Sequence, residues 1–128
     1  MNLRLVMEIN PIAELESFAL LDLEHIRDIF GGAIQQSMWE ELVGLFEEDG
    51  LVLLGRVQLQ TESGEAFGVS AILHSLRGAA MNMGAIAFGE RLKICEQQQE
   101  VLTASEINEL STLFEASLDA MRNLTNKE

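Results

Sequence analysis

The sequence predicts an all-α protein, an antiparallel up-down four-helix bundle with additional short N-terminal helical segments. Three observations carry that prediction. Apolar residues recur three and four apart along most of the 128 residues, the spacing of one face of an α-helix. Proline occurs once, at Pro11, and the alternation of a half-buried strand is scarce. The stretches between the apolar stripes are short, and short connections make consecutive helices antiparallel neighbours. The chain shows no internal repeat and no linker, so residues 1–128 read as one domain. An apolar fraction of 48%, with six Met and six Phe, fills a core without disulfide or metal.

Asn10-Pro11 is a helix start, a capping side chain followed by proline at the first helical position, and it opens a short helix over 12–19. Asp22 is a second cap. Leu23, Ile26, Ile29 and Phe30 follow it at helical spacing, and Gly31-Gly32 stops the run. His25 lies off that stripe and reads as a solvated surface residue.

A long run follows: Ile34, Met38, Leu42, Leu45, Phe46, Val52, Leu53 and Val57. Gly50 raises a kink or break as the alternative to one continuous helix, and the unbroken phase of the stripe favours continuity. Ser63-Gly64 is the next turn. In the helix after it, Val69, Leu73, Leu76, Ala80 and Met83 share a core face, while His74, Arg77, Gly78 and Met81 share a neighbouring one. Gly84 fits a left-handed helix terminus. Phe88, Leu92 and Cys95 form the next apolar face, and Thr103-Ala-Ser-Glu106 is a capping box that opens a last helix through Ile107, Leu110, Phe114, Met121 and Leu124.

The net charge of −13 repels nucleic acid and anionic membranes, which excludes both as partners. Between His74 and Lys93 the balance reverses: Arg77, Arg91 and Lys93 stand against Glu90 alone, a local basic patch for an acidic partner surface. One cysteine, no membrane-length apolar run and no signal-peptide pattern make the cytoplasm the expected compartment. With no second apolar stripe evident, a monomer is expected.

Several chemistries lack their parts. There is no phosphate-binding loop of the Walker type and no kinase nucleotide site. Carboxylate-bridged di-metal bundles need two Glu-x-x-His pairs, and a single Asp22-x-x-His25 is the nearest approach, so no metal site is expected. Glu47-Glu48-Asp49 reads as a solvated face, and Cys95 as core. His74 remains. Neutral imidazole is a nucleophile near neutral pH, able to accept a phosphoryl group and pass it on. Arg77 is placed to pair with an anion near the ring, and Gly78 clears an approach path one turn away.

His74-Ser-Leu-Arg-Gly-Ala-Ala-Met-Asn-Met-Gly-Ala85 resembles the motif of histidine-containing phosphotransfer (HPt) domains of bacterial multistep phosphorelays. Leu76, Gly78, Gly84 and Ala85 fall on that pattern, and Glu96 matches a glutamate common further along in the family. Ile26-Arg-Asp-Ile-Phe-Gly-Gly32 is similar to the family's opening helix and its stop, and Phe46 also has a counterpart. The resemblance covers about 21–122, leaving 1–20 as an N-terminal extension. Arg77 stands where the family usually has lysine, which keeps the charge but is bulkier and can bind bidentately.

The resemblance implies a four-helix bundle that relays a phosphoryl group between receiver-domain aspartates through a phosphohistidine, without autokinase activity. His74 would be the nucleophile and carrier, and Arg77 the phosphoryl neighbour. Ser75, Gly78 and Met81 would meet the receiver. Gly84, Ala85 and Glu96 belong to the structural motif. The chain would bind no cofactor of its own, since Mg²⁺ belongs to the receiver. Its partners would be response-regulator receiver domains and a hybrid sensor kinase. The start at Met1 reads as a stand-alone carrier, with an excised kinase domain as the alternative. A helical interaction protein that docks on and sequesters a receiver or kinase without transfer is the competing reading.

Overall fold

Leu23–Ile29 (α1), Gln36–Glu62 (α2), Ala66–Asn82 (α3), Ile86–Gln97 (α4) and Ala104–Asn123 (α5) are the helices of the computed structural model, which describes residues 20–29, 36–98 and 100–125. No strand occurs among the described residues. The expected helix over 12–19 and the Gly31-Gly32 stop lie outside them. No helix is long and apolar enough to cross a membrane among the described residues.

The helices share one core. α2 packs against α3 and α5, and α4 packs against the same two. Phe114 of α5 sits at the centre, with Phe46 of α2 and Phe88 of α4 each at 5.4 Å between ring centroids. Trp39 is buried as well, and its indole Nε1–H donates to the Met121 carbonyl at 3.0 Å. Sequence periodicity had not singled out Trp39.

α2 runs unbroken through Gly50, as its phase suggested. Gly50 is buried beneath the Phe114 ring, and a Cβ added there would run into that ring. The helix therefore tolerates the propensity cost of glycine in return for aromatic packing. The run of apolar residues read along α2 divides, however. Phe46 and Val57 are buried and Leu53 is partly so, but Met38, Leu45 and Val52 face outward, with Leu59. α2 is apolar on two opposite faces, and spacing alone did not separate them.

The turn read at Ser63-Gly64 and the left-handed terminus read at Gly84 both end helices on a glycine. Gly64 and Gly84 each have φ of +78°. After α2, the Glu65 N–H bonds the Gln60 carbonyl, and after α3 the Ala85 N–H bonds the Ala80 carbonyl, so orphan carbonyls are satisfied at each end. Gly84 has a second duty. A Cβ there would lie 2.6 Å from Ile26 Cγ1, and the Asp22 N–H donates to the Gly84 carbonyl at 2.8 Å. The α3–α4 turn thus seats α1, whose cap is Asp22, with Oδ1 accepting from the His25 N–H at 3.1 Å.

His25 corrects its expected role. Its side chain is half-buried, and Nε2 lies 3.2 Å from the Asn82 carbonyl at the end of α3. It ties α1 to that helix end, a tertiary contact that its place off the apolar stripe could not show.

The capping box is complete. Thr103 Oγ1 accepts from the Glu106 N–H at 3.1 Å, and Glu106 accepts from the Thr103 N–H at 2.9 Å. That backbone hydrogen bond is the main cause holding the Glu106 carboxyl below its usual pKa. A depressed carboxyl contributes stability above its unfolded pKa and loses it as pH falls through the folded one. Thr103→Ala is expected to cost about 1 kcal/mol in denaturant unfolding at neutral pH. Glu106→Gln should flatten the acid limb of the stability profile below about pH 4.

Candidate functional site

The roll of α3 about its axis is set by its core face. Val69, Leu73, Leu76 and Ala80 are all buried, and Met83 is half-buried. Residues one position away from Leu73 and two before Leu76 must then point outward, and His74 does, with its side chain 66% exposed. Ser75 and Gly78 are exposed beside it. Arg77 is half-buried one turn on.

The second contributor comes from the next helix. α4 lies along α3, and its last turn brings Glu96 to the imidazole. Glu96 Oε2 is 2.9 Å from His74 Nδ1, and Glu96 Oε1 is 3.2 Å from Arg77 Nε. The latter is an ion pair without hydrogen-bond alignment. Arg77 Nη2 also stands 3.2 Å from His74 Nδ1. A ring nitrogen has one position for a hydrogen bond, so Nδ1 either donates to the carboxylate or accepts from the guanidinium. The carboxylate is nearer and charged, and a charge-assisted bond is the stronger of the two. Nδ1 therefore carries the proton, and Arg77 balances Glu96.

That choice settles the other nitrogen. In neutral imidazole with Nδ1–H, Nε2 holds the lone pair. Both polar contacts of the ring go to Nδ1 among the described residues, and the side chain stands largely in solvent. Glu96 thus orients the ring and leaves the nucleophilic lone pair on Nε2. Such exposed pairs contribute about 0.2–1 kcal/mol to stability, so their consequence is positional. Glu96→Ala is expected to shift the His74 tautomer balance toward Nε2–H, the form ordinarily favoured when nothing holds the Nδ1 proton. Imidazole ¹⁵N chemical shifts measure it, and unchanged shifts would remove Glu96 from this role.

His74 lies outside the cavities that flank it. A cavity that includes Glu96 holds about 20 Å³, room for one water at most. A much larger groove of about 510 Å³ is lined by Trp39, Arg122 and neighbours, and contains none of the three site residues. His74 is accordingly a group presented on the surface.

Other expected residues fall as follows. A Cβ added at Gly78 would have no atom within 4 Å among the described residues, none of which requires glycine there. Met81 is 39% exposed, and its sulfur lies against Gly89 of α4. Ala85 is fully buried at the start of α4. Ile94, exposed two residues before Glu96, had not been singled out. The expected basic patch is largely spent within the chain: Arg77 pairs with Glu96, and Arg91 with Glu109 at 2.6 Å. Cys95 is buried, and burial is the main cause pushing its thiol pKa up, which keeps it an inert core residue. Glu47 bonds Arg122 across to α5, while Glu48 and Asp49 are exposed.

Glu96 is the residue whose role the sequence understated. Its signal was present as a motif match, but its contact with His74 spans two helices and 22 positions. Comparison with protein-family models, with curated proteins and with solved structures gives no match.

Proposed function

We propose that this chain is a histidine phosphotransfer protein, relaying a phosphoryl group between receiver-domain aspartates through a phosphohistidine at His74. The observation that carries the reading is a largely exposed imidazole whose Nδ1 is held by Glu96, which leaves the lone pair on Nε2.

The chemistry balances on those atoms. The Nε2 lone pair attacks the phosphorus of a receiver's aspartyl phosphate. The N–P bond forms as the acyl-phosphate O–P bond breaks, and the aspartate carboxylate leaves. Positive charge develops on the ring, and the Nδ1–H donated to Glu96 places a carboxylate against it. A second receiver's aspartate reverses the step. Arg77 offsets Glu96 beside Nδ1 and would have to swing across the ring edge to offer its cation to phosphoryl oxygens on Nε2. Nucleotide chemistry and Mg²⁺ belong to the partners, a hybrid sensor kinase and response-regulator receivers in the cytoplasm. Exposed Ser75, Gly78 and Met81 form the ground on which a receiver settles.

The bundle in this reading is an antiparallel up-down arrangement of α2 to α5. Its support is the cycle of neighbours and three cross-helix contacts. Trp39 near the start of α2 bonds Met121 near the end of α5. Met81 meets Gly89, and His74 meets Glu96, as two helices running back along each other require.

The test is incubation of the chain with a receiver domain phosphorylated on its aspartate, with Mg²⁺ present. Label should appear on this chain, be lost in acid and survive base. Glu96→Ala should slow its appearance by about tenfold, the lower range for loss of an orienting partner. A chain that binds the receiver and acquires no label would establish the sequestering reading instead.

A further inference from the structure

We propose that the outward face of α2 is a homodimer seam, on which a second copy of this chain packs antiparallel about a two-fold axis near Glu48-Asp49. The proposal does not rest on the phosphotransfer reading.

Met38, Leu45, Val52 and Leu59 are 51, 51, 55 and 67% exposed. They recur at strict seven-residue intervals along one continuous helix. That is the seven-residue period of a coiled-coil seam, carried here on one of its two positions, with Glu41, Glu48, Gly55 and Glu62 at the other. The core face of α2, with Trp39, Val43, Phe46, Leu54 and Val57, lies on the opposite side and is already occupied. The expectation of a monomer rested on a single apolar stripe, and α2 carries two. Gly55 falls in the same outward strip, and a Cβ there would have no atom within 4 Å. A glycine that no neighbour among the described residues requires allows close approach of a second helix.

The extent suits a dimer. A 27-residue helix is about 40 Å long, and the outward half of a cylinder about 11 Å across offers roughly 700 Å². Standard interfaces bury about 800 Å² per partner, so this face has about the extent a dimer needs.

Charge sets the direction in which a second copy packs. The outward strip is acidic in its first half, at Glu41 and Glu48, and carries its cation, Arg56, in the second half, before Glu62 at the end. Parallel pairing would set each charge against itself. Antiparallel pairing about the Glu48-Asp49 midpoint sets Met38 level with Leu59, Leu45 with Val52, and Arg56 with Glu41, twice over by symmetry. Glu48 and Asp49 meet near the axis as the unfavourable element. With each copy at −13, association should strengthen as salt screens the repulsion.

Sedimentation equilibrium of the full chain over a concentration series tests this. A reversible dimer is expected, tighter at moderate than at low ionic strength. Val52→Glu and Leu59→Glu should each weaken it at least about tenfold with helical circular dichroism unchanged, since both sites are exposed. Arg56→Glu should weaken it severalfold, and Glu41→Arg combined with Arg56→Glu should recover it. A chain monomeric throughout, as when its own first residues or another protein's helix cover the seam, would overturn the proposal. So would a dimer indifferent to both Glu substitutions. Failure of the double swap to recover association would overturn the antiparallel pairing.

Discussion

His74→Gln is expected to abolish phosphoryl acceptance from a phosphorylated receiver while shifting the melting temperature by no more than about 2 °C. The two halves of that result have separate causes. Glutamine has no nitrogen lone pair comparable to that of neutral imidazole, so the N–P bond cannot form. Its amide can still donate to Glu96, and the side chain it replaces is 66% exposed, so little packing is lost. The residues that hold α3 in place, Leu73 and Leu76, are untouched and fully enclosed. Three readings of the protein separate on this one variant. A carrier loses its label and keeps its stability. A docking protein without transfer shows no label even before the substitution. A histidine that serves only the fold would lower the melting temperature by much more, and that outcome would remove His74 from the chemistry.

The parts of the fold that the sequence made legible are those decided within one helix. The core faces of α3 and α4 follow from spacing, because each of those helices has a single apolar side. The ends at Gly64 and Gly84 follow from glycine's tolerance of positive φ, and the Thr103 cap from a pattern four residues long. What spacing could not decide lies between helices. Met38, Leu45 and Val52 share the helical period of the core residues of α2, so only packing tells the two faces apart. Trp39 announces no partner until α5 supplies the Met121 carbonyl. His25 reads as solvated because its contact, the Asn82 carbonyl, is 57 residues away. At the site, His74 and Arg77 were visible as one helical turn. The Glu96 carboxylate that decides which imidazole nitrogen is free needed the α3–α4 pairing to be seen.

Gly78→Leu is expected to raise the stability of the chain by about 0.5–1 kcal/mol and to slow transfer from a receiver by about a hundredfold. The stability gain comes from replacing glycine in a helix interior at an exposed position where a Cβ would meet none of the described residues within 4 Å. The loss of rate comes from outside the chain. Gly78 is one turn from His74 on the same face, so a leucine there stands where a receiver's active site would close over the imidazole. In-line transfer depends on near-contact geometry, and a displacement of about 1 Å can cost about a hundredfold. A small phosphoramidate, which needs no protein docking, should still phosphorylate His74 in the variant at close to the original rate. Gly50 shows why the two measurements belong together. It too is a glycine inside a helix, but the Phe114 ring occupies the space above it, so Gly50→Ala is expected to destabilise the chain. Glycine at Gly50 is thus required by the fold, whereas at Gly78 the fold is better off without it. Transfer through Gly78→Leu at the original rate would leave that glycine without a reason and the docking role of this face without its support.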